Sequence, residues 1–445
     1  MTRSAGLGDT ARVIGEALAP TIAGGVIRRR PRAMALIDRL GLDRAALRLF
    51  AGLRARYGPG PVLLRIPGRS IALLLEPEDV RRVLTSTPSP FSPAAREKRA
   101  ALNHFEPHGV LATPMPERAP RRRYNEQVLE SERPVHSLAE RVREVVGEET
   151  RLLLEDTTEL DWDRHARTWW RIVRRVVLGD HARDQDEVTD ELTALRLRGN
   201  WAFLLPKAKR RRDAFQKRLN DHLDRAEPGS LAAVIAEHEP ENSAVDPFGQ
   251  VPQWLFAFDA AGMVVLRALA LLATHPDQAA AARKESAVDD ARAWAYIRAC
   301  VLDTLRLWPT TPLLLRESTT ATSWRGKQLP PETLFVVFAT YFHRDAELVP
   351  FADTFTPEAW LDERARELPG LVPFSAGPAR CPGENLVLLV ASAMLVEFLR
   401  AGEYRLLAPK TLRSRSHARD RLPATVDNFG IRLAFTPHET RGSSA

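Results

Sequence analysis

The sequence predicts a mainly α-helical fold with a small β-rich lobe. Two long apolar runs, at residues 254–276 and 385–399, have the length and apolarity of buried helices. Two β-rich runs, at residues 62–66 and 70–75, follow a turn rich in Gly and Pro near the start of the chain. A length of 445 residues is compatible with two or three average domains, and equally with one large helical domain that carries such a lobe.

Along the chain, residues 1–50 are predicted to form a helical or partly disordered N-terminal extension, and residues 51–445 a single domain. The β-rich lobe falls mainly in residues 57–80 and 311–340. Near the end, residues 413–421 are predicted to form a charged loop. No internal repeat is visible, so a repeat architecture is not expected.

The charge balance is basic, with 64 Lys and Arg against 57 Asp and Glu, for a net charge of +7. Basic clusters occur at residues 121–123 and 207–212. No aromatic residues are interleaved with them and no recognition motif accompanies them, which argues against nucleic acid as a partner. A solvated face, or a docking surface for an acidic electron donor, is the better interpretation.

The cysteine content and the N-terminal sequence bear on the compartment. Cys300 and Cys381 do not make a disulfide framework, which predicts a reduced, cytoplasmic setting. The most apolar stretch near the start, residues 13–27, contains Glu16 and Pro20 and is too short to span a bilayer. No membrane anchor is therefore predicted.

Residues 374–383 read Phe-Ser-Ala-Gly-Pro-Ala-Arg-Cys-Pro-Gly and place Cys381 in a Gly- and Pro-bounded loop before the apolar run 385–399. A thiol binds a metal as its anion, which the positive end of a following helix and unpaired backbone N–H groups favour. Gly377 and Gly383 would let a flat macrocycle lie close to the backbone. The alternative is a buried structural cysteine beside a helix start.

This loop resembles the cysteine loop of the cytochrome P450 family, which reads Phe, two residues, Gly, three residues, Cys, one residue, Gly. Phe374, Gly377, Cys381 and Gly383 stand at those positions. The resemblance covers most of the chain and implies the cytochrome P450 fold, with residues 51–445 as the catalytic domain. It also implies heme b (iron protoporphyrin IX) as the cofactor, with Cys381 as the ligand of its iron.

A pair of charged residues upstream resembles a second landmark of the family. Asp303 and Arg306 stand three residues apart, so on a helix they share a face and can pair. The family has Glu at the first position, and the shorter Asp predicts a structural pair with altered geometry. Ala359 stands where an Arg usually completes the network. Taken alone, the two residues would be a solvated surface pair of little energetic value.

The resemblance assigns Arg122 and Arg316 to the two heme propionates, and the guanidinium fork suits carboxylate recognition. The alternative for either residue is an ordinary surface arginine. The family usually has Arg or His two residues before the cysteine, where this chain has Ala379, while Arg380 immediately precedes Cys381. Arg380 is a further cofactor-binding candidate, and its contact with a propionate is left open.

Residues 254–276 resemble the family's helix over the distal face of the heme, where an acid stands beside a threonine. One register, which keeps the spacing to the His-Pro that follows the helix, puts Asp259 at the acid and Ala260 at the threonine. The other, which matches an Ala-Gly pair, puts Val264 and Val265 there. The first is preferred, because a gap within a helix rotates later side chains by about 100° per residue.

In either register the alcohol is absent, so the catalytic candidates are Asp259 and Ala260. Asp259 could relay a proton through water, or a hydroxyl of the substrate could substitute for the missing group. The alternative is that Asp259 pairs with a neighbouring base or caps a water in the helix. A buried carboxylate is costly unless it is partnered.

These features predict a soluble, bacterial-type cytochrome P450 monooxygenase, an oxidoreductase that activates dioxygen to oxidise, and by default hydroxylate, a small, partly apolar organic substrate. The resemblance implies a ferredoxin or reductase as electron donor. It also places the apolar residues Phe256, Leu313 and Leu314 in the substrate pocket. The missing threonine keeps a peroxide-driven or redox-neutral reaction open. A non-catalytic heme-binding partner protein is a further alternative, against which the retention of Cys381 argues.

Overall fold

The structure is a computed structural model that describes residues 3–412 and 421–438. The predicted charged loop at residues 413–421 lies, except for its last residue, outside the described residues. The described chain is mainly helical with small sheets, as the sequence predicts.

The helices of the described ranges are α1 (Leu7–Arg12), α2 (Ala19–Gly24), α3 (Pro31–Leu40), α4 (Leu42–Tyr57), α5 (Pro77–Thr85), α6 (Arg96–Leu102), α7 (Arg118–Val128), α8 (Ala139–Leu154), α9 (Trp162–Leu178), α10 (Asp186–Gly199), α11 (Lys209–Leu223), α12 (Leu231–Glu237), α13 (Val251–Leu272), α14 (Pro276–Ser286), α15 (Ala295–Leu307), α16 (Ala339–Arg344), α17 (Glu358–Leu361) and α18 (Glu384–Ala401). A π-helical segment, Val13–Leu18, joins α1 to α2.

The strands are β1 (Arg3–Ser4), β2 (Val62–Leu64), β3 (Ile71–Leu73), β4 (Phe91–Ser92), β5 (Glu159–Asp161), β6 (Leu313–Ser318), β7 (Thr322–Trp324), β8 (Lys327–Leu329), β9 (Leu334–Phe338), β10 (Gly402–Ala408) and β11 (Arg432–Pro437). They form a six-stranded sheet in the order β1-β2-β3-β9-β6-β4, a three-stranded sheet in the order β10-β11-β5, and the hairpin β7-β8.

The six-stranded sheet joins distant parts of the chain into the β-rich lobe. Strand β3 pairs in parallel with β9, which pairs antiparallel with β6, so that Arg316 lies opposite Phe335. A separate apolar core fills the lobe and includes Phe50 of α4, which packs on Phe338. Residues 3–57 form β1 and α1–α4, and β1 pairs with β2. The division of the chain at residue 50 stays a prediction.

Helix α13 is the central helix of the larger core, where it packs against α9, α15 and α18. The segment Phe248–Leu272 is long and apolar enough to cross a membrane, yet it is mostly buried inside the protein. Within α13 all residues are buried except Phe256, Ala257 and Ala260, which are half-buried. Because residues three and four apart share a face of a helix, these three form one half-buried stripe.

A buried ion pair fixes helix α15. Arg306 donates from Nε and Nη2 to the two carboxylate oxygens of Asp303, at 2.6 and 3.1 Å, and both side chains are 0% exposed. The Asp303 carboxylate also accepts from the main-chain N–H of Thr356 at 2.7 Å and from the Trp360 indole at 3.0 Å. The pair is therefore a buried structural element, and Trp360 and Thr356 supply donors beside Ala359, which offers no side-chain donor.

Candidate heme-thiolate site

Cys381 lies in a loop that backbone contacts hold in place. Its main-chain N–H donates to the Phe374 carbonyl at 2.9 Å, and helix α18 begins three residues later. Gly377 has a φ of +64°, and a Cβ there would lie 2.2 Å from the Leu84 carbonyl oxygen. Only glycine fits this approach of the loop to α5. Gly383, by contrast, has room for a side chain, since a Cβ there would meet only ordinary contacts.

Without a bound metal, the surroundings of Cys381 favour its protonated thiol over the thiolate. Burial raises its pKa to about 11, against the opposing hydrogen bond from the Gly383 main chain. A metal ion reverses this preference, because coordination requires the thiolate. In residues 3–412 and 421–438 no three His, Cys, Asp or Glu side chains cluster to hold a metal. An iron at Cys381 must therefore bring most of its other ligands, as a porphyrin does.

Three buried arginines form no ion pair among the described residues. One of them, Arg267, has the charges of Asp427, Asp43 and Asp38 nearby, whereas Arg118 and Arg316 have no such group of acids. Arg316 donates at 3.2 and 3.0 Å to the hydroxyls of Thr87 and Ser375, and Arg118 donates to the Val110 carbonyl. Burial lowers the pKa of each arginine to about 10, and the charge of Arg118 contributes to the shift at Arg316. Such cations require anions, since an uncompensated buried charge is costly.

Lys98, on α6, is a half-buried cation whose charge acts together with those of Arg316 and Arg118. Its pKa is well below the usual value because of burial, followed by the charges of Arg316 and Arg118. Neither Lys98 nor Arg118 was predicted from the sequence. Arg118 lies one helical turn before Arg122 on α7, so this i, i+4 spacing was a signal for it, whereas nothing local indicates Lys98.

The other predicted arginines have partners of their own. Arg122 donates to Glu126 and to the Arg380 carbonyl, both at 2.6 Å. Arg380 is 61% exposed and pairs with Glu384 at 2.6 and 2.7 Å. The propionate contacts of Arg122 and Arg380 stay predictions. Arg118 and Arg316, in contrast, form no ion pair with an acidic side chain of the described residues.

The half-buried thiol of Cys381 and the buried arginines without ion pairs fit a heme. The cations match the two propionate carboxylates of that cofactor, and the thiol matches the one protein ligand that its iron needs. Residues that would hold heme are therefore Cys381, Arg316 and Arg118, with Arg122 and Lys98 beside them.

Helix α13 places Asp259 and Ala260 differently. Ala260 lies on the half-buried stripe, whereas the Asp259 carboxylate is buried and accepts from Arg196 at 2.7 Å and from Arg28 at 3.0 and 3.2 Å. Burial alone would raise the pKa of Asp259, but the charges and hydrogen bonds of Arg196 and Arg28 outweigh it and lower that pKa. The paired carboxylate is thus ionised and held by two arginines.

Contacts of α9 bear on the two registers of α13. The side chains of His165 and Trp169 donate to the carbonyls of Gly262 and Phe258, each at 2.8 Å. A Cβ on Gly262 would lie 2.8 Å from the Trp169 ring, so this glycine serves helix packing. Val264 and Val265 are 2% and 0% exposed. The register in which Ala260 stands at the threonine position stays a prediction.

The predicted pocket residues lie on two elements. Phe256 is on the stripe of α13, where its ring centroid is 5.5 Å from that of Phe105. The guanidinium carbon of Arg196 lies 4.8 Å from the Phe256 ring centroid. Leu313 and Leu314 are half-buried in β6, opposite residues of β9. Their shared role in a substrate pocket stays a prediction.

Comparison with known proteins finds similarity to cytochromes P450. Residues 257–415 match the family model described as Cytochrome P450. Cyclooctat-9-en-7-ol 5-monooxygenase of Streptomyces melanosporofaciens is 29% identical over 199 residues, which is 41% of this chain and 43% of that protein. Isoflavone 2'-hydroxylase of Glycyrrhiza echinata is 34% identical over 113 residues, 25% of this chain and 22% of that protein. The chain thus spans less than half the length of these curated relatives.

The solved structure of retinoic acid bound cyanobacterial CYP120A1 superposes with a TM-score of 0.70 at 17% identity. The match covers 87% of this chain and 94% of that chain. The predicted cytochrome P450 fold is confirmed. Relatives also include the probable cytochrome P450 4s3 of Drosophila melanogaster, 28% identical over 48% of this chain and 43% of that protein, so a bacterial origin stays a prediction.

Proposed function

We propose that this chain is a cytochrome P450, a heme-thiolate monooxygenase that oxidises a small, partly apolar organic molecule. The observation that carries the proposal is the pair of buried arginines without ion pairs, Arg118 and Arg316, together with the half-buried thiol of Cys381. When bound, heme b supplies the redox chemistry that activates dioxygen, and a thiolate ligand favours cleavage of the O–O bond. Hydroxylation is the default outcome.

The chain's own residues then have distinct tasks. Arg118 and Arg316 bind the propionates and orient the cofactor, while Gly377 keeps the cysteine loop close to α5. Asp259, which Arg196 and Arg28 hold ionised, would accept a proton and pass it on. The apolar stripe of α13, with Phe256, excludes water from the reacting region and packs on the apolar part of the substrate.

Electrons come, in this proposal, from a ferredoxin or reductase. The excess of Lys and Arg over Asp and Glu suits an acidic protein partner, since complementary charge steers association. We place the enzyme in the cytoplasm, in keeping with its two free cysteines.

A peroxide-driven reaction is the second candidate. Two observations favour it: Ala260 offers no hydroxyl, and Asp259 is held between two arginines. A site with weak proton delivery is served better by an oxidant that already carries protons and electrons.

The test is made on the purified, heme-loaded chain. The reduced, carbon monoxide-bound form should show the shifted Soret band of thiolate ligation. Substrates found by spin-state titration are then turned over with ferredoxin and reductase or with hydrogen peroxide. Full heme binding without the shifted band would contradict thiolate ligation. Product with peroxide alone would favour the second candidate.

Replacing Arg316 or Arg118 with Leu is expected to weaken heme retention by about 10- to 100-fold, the scale of losing one hydrogen bond to a charged group. The heme-free variants should be at least as stable as the parent, because an uncompensated buried charge has been removed. Heme transfer to apomyoglobin and thermal unfolding of the heme-free chain measure the two effects.

The control is Arg432→Leu, since Arg432 is 56% exposed, lies on β11 and pairs with Glu159. Equal heme retention in all three variants would remove Arg118 and Arg316 from the propionate site.

A further inference from the structure

The loop between α10 and α11 exposes four large apolar side chains, Trp201, Phe203, Leu204 and Leu205. Phe203 and Leu204 are the most exposed of them, at 66% and 75%. Single exposed apolar residues are ordinary on a protein surface. Four within five positions form a contiguous patch, and such patches mark interaction surfaces. These four residues are called the loop patch below.

Contacts at the base of this loop fix its position. The Asn200 side chain donates to the Arg28 carbonyl at 2.8 Å and accepts from the Arg28 main-chain N–H at 3.2 Å. The guanidinium carbon of Arg30 lies 4.7 Å from the centroid of the Trp201 ring. A turn follows, in which the main-chain N–H of Leu205 donates to the Trp201 carbonyl at 2.8 Å. The base of the loop is therefore held against the N-terminal segment while its apolar tip stays exposed.

A run of cations directly follows the loop patch. Four of its side chains are exposed and form no ion pair within residues 3–412 and 421–438: Lys207, Lys209, Arg210 and Arg211. The next residue, Arg212, pairs with Asp213. These four cations are called the basic run below. Exposed cations without acidic neighbours attract an anionic partner.

We propose that the loop patch and the basic run dock this chain on an anionic membrane surface. The apolar side chains enter the boundary between lipid headgroups and acyl chains, and the cations lie against the anionic headgroups. Docking of this kind is peripheral. The long apolar segment Phe248–Leu272 takes no part in it, because that segment is mostly buried inside the protein.

The apolar tip decides between a lipid surface and an acidic protein. Either partner would attract the basic run. An acidic protein surface offers carboxylates but no apolar layer into which Phe203 and Leu204 could insert, whereas a bilayer offers both within a few ångströms of depth. The proposal goes beyond the proposed function and does not depend on the heme chemistry.

Docking is measured by flotation of the heme-loaded full chain with lipid vesicles. Vesicles of phosphatidylcholine alone are compared with vesicles that contain phosphatidylglycerol as well. The partition coefficient on the anionic vesicles is expected to be higher by about 10-fold or more, and to fall as salt is added, because salt screens the attraction of the basic run. No association with either kind of vesicle would overturn the proposal.

The double substitution Phe203→Ser and Leu204→Ser tests the apolar half. It should lower the partition coefficient by about 10-fold or more, the scale of losing the burial of two large apolar side chains. The unfolding midpoint should stay that of the parent, since both side chains are exposed in the free protein. Leu152→Ser is the control, because Leu152 is an exposed leucine of α8. A double variant that associates as strongly as the parent would leave electrostatic attraction alone, which an acidic protein satisfies equally, and the membrane assignment would fall.

The triple substitution Lys209→Gln, Arg210→Gln and Arg211→Gln tests the basic half. At about 5-fold per charge, it should weaken association with anionic vesicles by about 100-fold. Association with phosphatidylcholine vesicles should stay unchanged. Arg405→Gln, at an exposed position of β10, is the control. If the control weakened association as much as the triple variant, the net charge of the protein and not this surface would be responsible, and the proposal would be wrong.

Discussion

Replacing Cys381 with Ser is expected to abolish the shifted Soret band of the reduced, carbon monoxide-bound protein. A serine hydroxyl is a much weaker acid than a thiol and donates less electron density to iron, so the thiolate signature disappears even if heme stays bound. The pKa of Cys381 is about 11 without a metal because of burial. The measurement is the absorbance spectrum of the reduced protein with and without carbon monoxide.

The chain offers a matched control in Cys300, its other cysteine. Cys300 is buried in α15, and its pKa is raised well above the usual value by burial, followed by the nearby Asp303 charge. Cys300→Ala should keep the shifted band and the heme content of the parent. If Cys300→Ala lost the band and Cys381→Ser kept it, the ligand would have been assigned to the wrong cysteine.

The features that could be predicted from the sequence are local ones. The cysteine loop is contiguous in residues 374–383, and its Gly and Pro residues directly precede the apolar run that forms α18. Asp303 and Arg306 are one helical turn apart, so their pairing follows from the spacing. In each case the residues that act together are neighbours in the chain.

The features that escaped prediction depend on contacts between distant segments. Arg28 reaches Asp259 across 231 positions of the chain, and Arg196 reaches the same carboxylate across 63 positions. Lys98 lies near Arg316 for the same kind of reason. No spacing pattern indicates such pairs, because their proximity is set by how helices and sheet pack.

The Asp259→Asn substitution should show whether the buried carboxylate of α13 serves the reaction as well as the fold. Turnover supported by ferredoxin and reductase is expected to fall by about 10² or more, the scale of losing a positioned proton-transfer group. A peroxide-driven reaction should be spared much better. The measurement is product formed per loaded heme with each oxidant.

The same substitution should destabilise the protein by about 3–5 kcal/mol, because Arg196 and Arg28 would be left without their shared anion. The lowered pKa of Asp259 determines how its contribution to folding stability depends on pH. The ionised carboxylate contributes stability above its unfolded pKa, near 4, and this contribution is lost as pH falls through the lower folded value. The difference between parent and variant in urea unfolding should therefore shrink in acid.

Asp303→Asn is the control that separates catalysis from stability. Asp303 is also a buried carboxylate paired with an arginine, so its loss should destabilise the protein by a similar amount. Turnover per folded, heme-loaded molecule should nevertheless stay near that of the parent. If Asp259→Asn behaved like Asp303→Asn in both assays, Asp259 would be a structural ion-pair partner only.

Restoring the missing hydroxyl with Ala260→Thr tests the register of α13 directly. Ala260 is half-buried on the stripe of that helix, so a threonine there can hold a water that relays protons. The division of reducing equivalents between product and hydrogen peroxide should therefore change. Val265 is 0% exposed, and Val265→Thr should leave that division unaltered. A change with Val265→Thr, together with no effect of Asp259→Asn or Ala260→Thr, would establish the other register and leave α13 with neither acid nor alcohol at the reacting position.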